Sequence, residues 1–192
     1  MSATAVRRLS GSGLLAHEGD VRRVYREAFA EPPWSEDASV ADRFLDRLAG
    51  DAARPGFTAA GAFADGGALV GLATAWTTPT PFPSGRCYPQ AAAALGAERT
   101  TGWLCGGREV DELAVAASAR GRGMGAALLD AVTAEAPGGR CWLLTSVRAP
   151  ATIAFYRRRG WTQATHPAPG GSGIAVFLGP GHPARADVPH PL

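Results

Sequence analysis

The chain has 192 residues, of which 46% are hydrophobic and 19% are charged, and its 19 basic and 17 acidic side chains give a formal net charge of +2. These proportions are typical of a folded globular protein and exclude the disordered and fibrous classes. The small net charge, without a long basic stretch, argues against a nucleic-acid partner. No apolar run suits a secretory signal or a membrane span, so we expect a cytoplasmic protein without a membrane partner.

The first third of the chain predicts one strand and two helices. Residues 4–10 alternate weakly between polar and apolar and indicate a strand. Apolar residues at helical spacing predict a helix over 21–29, which the prolines of the EPPW sequence at 31–34 should end. The same spacing predicts a second helix over 37–49.

A hairpin and a long connection follow. Two β-like runs, 57–64 and 68–78, flank Asp65-Gly66-Gly67, and glycine supplies the positive φ that tight hairpin turns need. Residues 79–106 contain four prolines and a short alanine-rich segment at 91–97. We predict a long loop carrying a small helix there, of the kind that often contributes to function.

The second half alternates strands and helices, which predicts a βαβ unit. The predicted elements are a strand over 110–115, a helix over 123–135, a strand over 141–146, a helix over 151–158, and strands over 161–165 and 174–178. We predict one domain over 1–179 and a disordered tail over 180–192, because the tail has little apolar surface to bury.

Three cysteines, Cys87, Cys105 and Cys141, are widely spaced and odd in number, so neither a disulfide framework nor a zinc site is indicated. His17 and His166 have no partners at metal-ligand spacing. The sequence therefore predicts no metal site.

The stretch ARGRGMGA at 119–126 joins the predicted strand 110–115 to the helix that follows. The first N–H groups of a helix have no partner inside it and favour an anion. Glycines at 121, 123 and 125 let phosphate oxygens approach the main chain, and Arg120 and Arg122 add mobile positive charge. The turn therefore suits a pyrophosphate, although it matches neither a Walker loop nor a dinucleotide fingerprint.

Two motifs resemble the GNAT N-acetyltransferase superfamily. Arg120-Gly121-Arg122-Gly123-Met124-Gly125, between ELAV and AALL, is similar to that family's acetyl-CoA motif. The stretch LLTSVRAPATIAFYRRRGW at 143–161 looks like its following strand and helix, with Tyr156 before Gly160 and Trp161. The resemblance implies an α/β fold with a mixed, largely antiparallel central sheet, flanking helices and a βαβ core that binds acetyl-CoA.

The same resemblance assigns candidate site residues. The acyl arm of acetyl-CoA would use the main chain of Leu113, Ala114 and Val115. Its pyrophosphate would bind the turn, which comprises Arg120, Gly121, Arg122, Gly123, Met124, Gly125 and Ala126. The Tyr156 hydroxyl would lie near the cofactor sulfur and return a proton to it, although an aromatic packed on the sheet is the alternative.

Acetylation of an amine also needs a base, because free amines are mostly protonated at neutral pH. The strand GREVDELAV offers Glu109, Asp111 and Glu112. We take Glu112 as the first candidate, followed by Asp111 and Glu109. Alternation along a strand places Glu112 on one face and the other two on the opposite face. Each acid could instead be solvated or paired with an arginine.

The predicted function is transfer of an acetyl group from acetyl-CoA to a primary amine, by direct attack, with a small molecule as the first choice of acceptor. A protein N-terminus or lysine remains open, because fold does not determine substrate. Ala149 stands where the family often has Asn, so the alternative is an acyl-CoA sensor of the same fold without turnover. A homodimer is compatible with the sequence.

Overall fold

The structure, a computed structural model, describes residues 5–168 and 170–189. The chain divides into two units, each built from two separate segments. The first unit contains Met1–Trp76 and Val110–Ala134, and the second contains Thr77–Glu109 and Glu135–Leu192. The chain therefore changes unit three times.

The described residues form strands and helices in an order that follows the sequence prediction. The strands are β1 (Ala5–Leu9), β2 (Thr58–Phe63), β3 (Leu69–Thr77), β4 (Arg108–Val115), β5 (Cys141–Ser146), β6 (Thr162–Gln163) and β7 (Ile174–Leu178). The helices are α1 (Gly11–Leu15), α2 (Glu18–Phe29), α3 (Ser39–Asp51), α4 (Tyr88–Leu95), α5 (Ala97–Arg99), α6 (Met124–Thr133) and α7 (Pro150–Arg158).

The first unit arranges its strands in the order β1-β2-β3-β4, with β1 and β3 both antiparallel to β2. The predicted hairpin is confirmed as β2 and β3. Its turn is closed by the Ala64 N–H, which donates to the Ala68 carbonyl over 2.9 Å. Gly67 has a φ of 80°, a conformation that side chains with a Cβ rarely adopt.

Helices bury the strands of this unit. Helices α2 and α3 pack together, and the rings of Tyr25 and Phe44 stack with centroids 4.8 Å apart. Helix α6 packs on β1 and β2, and its Leu128 is fully buried. Gly71 permits this close approach, since a Cβ there would lie 3.0 Å from Leu128 Cδ1 and 3.2 Å from the Ala114 carbonyl oxygen.

The second unit arranges its strands in the order β5-β7-β6, with β7 antiparallel to both neighbours. The two faces of β7 pack against different groups of residues. Val176 and Leu178 join a buried cluster with Tyr88 of α4, whereas Phe177 packs on Tyr156 of α7, with ring centroids 6.1 Å apart. Side-chain alternation along the strand accounts for this division.

Two segments are more ordered than the sequence predicts. Within 79–106, α4, α5 and a π-helical turn over Thr100–Leu104 follow one another, and Leu104 is fully buried. The prediction of a disordered tail over 180–192 is wrong for residues 180–189, which contain a 3-10 helix over Pro183–Asp187. Ala184 and Val188 are buried in the cluster that contains Tyr88, so the tail has the apolar partners that its composition does not reveal. Residues 190–192 lie outside the described residues.

The predicted fold class is confirmed. The residues that the structure describes contain seven mostly antiparallel strands flanked by helices. None of the described helices is long and apolar enough to cross a membrane. The division into one domain over 1–179 remains a prediction.

Candidate active site

The glycine-arginine turn lies in the first unit, between the end of β4 and the start of α6. Gly121 and Gly123 have φ values of 74° and 78°, and Gly123 immediately precedes α6. A Cβ at either position would meet no atom within 4 Å, so the space beside them is open. Residues 120–123 are exposed. The first N–H groups of α6, which lack acceptors inside the helix, therefore adjoin an accessible surface that suits an anion.

Arg120 is bound rather than mobile. Its Nε donates to the Val115 carbonyl and one terminal nitrogen donates to the Glu27 carbonyl, each over 3.3 Å. The Glu27 carboxylate in turn accepts from the Ala117 N–H over 3.2 Å. These bonds hold the turn against α2, so Arg120 stabilises the conformation of the turn. Arg122 is exposed, so its positive charge is accessible from solvent.

The other predicted cofactor residues are less exposed than the turn. Leu113 and Val115 are half-buried and Ala114 is buried on β4, which leaves their main chain as the available recognition element. Gly125 and Ala126 are half-buried in the first turn of α6, whereas Met124 is buried. The side chain of Met124 is therefore part of the packing, which leaves its main-chain N–H as the group to consider for cofactor binding.

Asp111 and Glu112 of β4 are held by one arginine from α3. Arg47 donates to Asp111 over 2.9 Å, to Glu112 over 2.7 Å and to Asp51, one turn along its own helix, over 2.7 Å. The side chain of Asp111 is 2% exposed and that of Glu112 is 12% exposed. Neighbouring residues of a regular strand point to opposite faces, yet one guanidinium reaches both acids. The two acids, which strand alternation predicts on opposite faces, are therefore joined by their shared ion pairs with Arg47.

A tyrosine completes this network. The Tyr25 hydroxyl donates to Glu112 Oε1 over 2.9 Å, and the same oxygen accepts from Arg47. Burial, with the nearby Glu112 charge, raises the pKa of Tyr25 well above its usual range, so the phenol stays a donor. Burial lowers the pKa of Arg47, but Asp111 and Glu112 outweigh it and raise that pKa overall. The network therefore keeps its guanidinium charged.

The remaining acid of the strand, Glu109, belongs to the second unit. It is 4% exposed, and its Oε1 accepts a hydrogen bond from the Tyr88 hydroxyl over 2.8 Å. Tyr88 begins α4, so the segment that the sequence predicts as a loop supplies this partner.

Tyr156 lies on α7 of the second unit, where it is 6% exposed. Its ring contacts Phe155, Trp161 and Phe177, with centroids 5.2, 5.8 and 6.1 Å away. The Trp161 N–H also donates to the Tyr156 carbonyl over 3.0 Å, which ties the end of α7 to the following residues. The aromatic packing fixes the ring and is compatible with either a catalytic or a purely structural role.

Comparison with models of protein families shows which family the chain belongs to. The model of the Acetyltransferase (GNAT) family matches residues 21–161, which include the turn, the β4 acids and Tyr156. The chain is a GNAT acetyltransferase. Among curated proteins, none matches its sequence.

Solved structures agree with this acetyltransferase in fold. A Corynebacterium glutamicum protein described as histone acetyltransferase HPA2 and related acetyltransferase is 20% identical, with a TM-score of 0.65 over 94% of this chain and 97% of the other. The PaiA N-acetyltransferase of Thermoplasma acidophilum, in complex with coenzyme A, is 13% identical, with a TM-score of 0.56 over 92% and 98%. An aminoglycoside N-acetyltransferase, AAC(6')-Iy, in complex with CoA, is 16% identical, with a TM-score of 0.52 over 82% and 87%.

The predicted activity class and co-substrate are confirmed at the level of the family. The chain is an acyltransferase of the N-acetyltransferase type. The coenzyme A bound in two of its structural neighbours supports acetyl-CoA as the co-substrate. The open glycine turn fits that group, because both positive-φ glycines leave room for a phosphate. Within the part of the chain that the structure describes, no three His, Cys, Asp or Glu side chains are grouped to hold a metal ion.

Two residues of the acid network were not predicted from the sequence. Arg47 stands between Phe44 and Leu48 on the apolar side of α3, and its guanidinium lies 5.0 Å from the Phe44 ring centroid. A cation within an apolar helix face is a signal that it has a buried partner. Tyr25 carries no comparable signal, since its ring fits the apolar face of α2.

Proposed function

We propose that this acetyltransferase moves the acetyl group of acetyl-CoA to a primary amine of a small molecule by direct attack. The observation that carries the proposal is the turn before α6, where exposed Gly121 and Gly123 adopt positive φ beside open space. The pyrophosphate of acetyl-CoA would accept hydrogen bonds from the main chain of Gly123 to Ala126, and Arg122 would add a positive charge.

In this proposal Glu112 is the base. The amine nitrogen must lose a proton before its lone pair attacks the acetyl carbon, and the carbon–sulfur bond breaks as the carbon–nitrogen bond forms. Glu112 is more exposed than Asp111, which favours it for receiving the proton directly or through water. Asp111, almost fully buried against Arg47, would set the charge balance of the network.

Tyr156 is proposed as the acid. Loss of the coenzyme leaves a thiolate, and a neutral phenol can supply its proton. Contacts with Phe155, Trp161 and Phe177 would hold the ring in one orientation, which a proton donor requires. The tyrosinate would then recover a proton from water.

Calorimetric titration with acetyl-CoA tests the foundation of the proposal. Gly123→Glu adds bulk and negative charge where the pyrophosphate is proposed to bind, so we expect binding to wild type and none to the variant. Gly67→Glu is the matched control, because Gly67 also has positive φ, 80°, and open space around its Cβ. The control carries the same backbone strain at a turn that has no proposed ligand.

Binding that survives in Gly123→Glu, or that Gly67→Glu abolishes equally, would contradict the assignment of the turn. A panel of small amines with acetyl-CoA then tests transfer, with the released thiol as the readout. Binding without transfer to any small amine would favour the alternative acceptors, a protein N-terminus or lysine, over a small molecule.

A further inference from the structure

Glu36 is a carboxylate of the first unit that the proposed steps do not use. Its Oε2 atom is buried and, among the described residues, has no hydrogen-bond partner. The Glu36 N–H donates to the Phe29 carbonyl over 3.0 Å, which fixes the position of its main chain. A buried carboxylate oxygen without a donor is costly, and Glu36 as a whole is only half-buried, so a cation that reaches its carboxylate would offset this cost.

Aromatic rings lie in a row beside this segment. The Trp34 and Phe29 rings meet edge to face with centroids 5.8 Å apart, and the Phe29 and Tyr25 rings follow at 4.6 Å. Trp34 is only half-buried, so part of this row is accessible. Aromatic faces attract ammonium groups, which adds to the preference of the carboxylate for a cation.

The charges of Glu36 and of the proposed base, Glu112, both influence the Tyr25 hydroxyl. Its charge is close enough to Tyr25 to help raise the pKa of that hydroxyl, and the hydroxyl donates to Glu112. Burial and Asp37 raise the pKa of Glu36, while Arg43 opposes them. Arg43 is exposed and bonded to Ser39, so it offsets the burial of Glu36 only in part.

We infer that Glu36 binds a second, non-reacting ammonium group of the acceptor, which makes the preferred acceptor a diamine. The reacting nitrogen must lose its proton before it attacks, and Glu112 is the proposed acceptor of that proton, whereas the other amino group of a diamine keeps its proton. An ammonium that stays charged throughout the reaction is therefore the suitable ligand for Glu36. The inference rests on the proposed function.

Steady-state kinetics with paired acceptors test the inference. The pairs are short α,ω-diamines and monoamines of equal chain length, assayed with wild type and with Glu36→Gln. We expect wild type to favour the diamine of at least one pair by about 10- to 100-fold in kcat/KM, the range of a hydrogen bond to a charged group. Glu36→Gln should lose that preference by lowering diamine kcat/KM more than monoamine kcat/KM, and acetyl-CoA binding should not change.

Glu31→Gln is the matched control, since Glu31 is exposed in the same turn and the substitution removes the same charge. Wild type that transfers acetyl groups without preferring any diamine would overturn the inference alone. So would a Glu36→Gln variant that keeps the preference, or an equal loss in Glu31→Gln. No transfer to any small amine, with acetyl-CoA still bound, would overturn the proposed small-molecule acceptor and this inference with it.

Discussion

The acids of β4 and the tyrosine of α7 are both candidate proton-transfer groups, but their surroundings differ in kind. Asp111 and Glu112 lie in a charged network with Arg47 and Tyr25. Tyr156 lies among aromatic rings. Charge controls protonation in the first environment, and apolar packing controls orientation in the second. Substitutions should therefore affect the first region through stability and pH, and the second through turnover.

Removal of Arg47 should give the largest effect. Arg47→Met keeps the apolar stem over Phe44 but leaves Asp111 and Glu112 buried without their cation. Breaking a buried pair on one side costs about 3–5 kcal/mol, and we expect about 2–4 because Arg47 is 28% exposed. Urea unfolding at neutral pH measures the loss of unfolding free energy.

The matched control is Arg43→Met, one turn earlier on α3 and exposed, which should change stability by less than about 0.5 kcal/mol. Without Arg47 the acids should take up protons more readily on folding. The deficit of Arg47→Met should therefore shrink as pH falls and the carboxylates become neutral. A deficit that is constant with pH would place its origin in packing rather than charge.

Removal of the Tyr156 hydroxyl should act on turnover. If the phenol returns the proton to sulfur, Tyr156→Phe should lower kcat by about 100-fold, within the usual range for general acids. The ring contacts remain, so the unfolding free energy should change by less than about 1 kcal/mol. Unchanged kcat together with lost stability would assign Tyr156 to the core alone.

Removal of the Tyr25 hydroxyl tests the link between the acids and α2. Tyr25→Phe deletes the donor to Glu112 in a buried position, which should cost about 1–2 kcal/mol of unfolding free energy. The lost hydrogen bond favoured the charged acid, so the acidic limb of the kcat/KM profile should move to higher pH. Phe29→Leu, which alters the same aromatic row without touching Glu112, should leave that limb in place.

His182 should give the smallest effect, at acid pH only. Its Nδ1 accepts from the Ala184 N–H and its Nε2 bonds to the Trp103 carbonyl, an arrangement that requires neutral imidazole. Burial lowers the pKa of His182 below its ordinary 6.5, so the unfolded chain takes up the proton first as pH falls. Unfolding free energy should therefore decrease below about pH 6.5.

His182→Asn keeps an acceptor at the start of the 3-10 helix and should remove that decrease in urea unfolding. The exposed His166, changed in the same way, should not. If both substitutions leave the acid dependence intact, another group is responsible.

The sequence predicts well those features that depend on residues adjacent in the chain, such as short strands and tight turns. The sequence predicts strands 141–146 and 174–178 with the bounds they have in the structure, because turn residues flank short apolar runs. The sequence also predicts the glycine turn, because positive φ and helix N–H groups are properties of consecutive residues.

What the sequence misses depends on distant partners. Arg47 meets Asp111 and Glu112 across 64 and 65 positions, and nothing in local spacing relates them. Residues 180–189 contain prolines and few apolar side chains, yet Ala184 and Val188 join a cluster supplied largely by earlier segments. The proposed site residues remain predictions until the substitutions above are measured.

The interleaved segments of the two units have a consequence for synthesis. The first unit needs Val110–Ala134, so it cannot be complete until residue 134 has left the ribosome. Thr77–Glu109 emerges before this point but belongs to the second unit, whose other segment begins at Glu135. The buried Trp142 and Val176, which complete the cluster around Tyr88, are therefore translated later. Until they are available, the apolar face of α4 stays exposed. Nascent chains stalled before residue 135 should be the species most in need of chaperones.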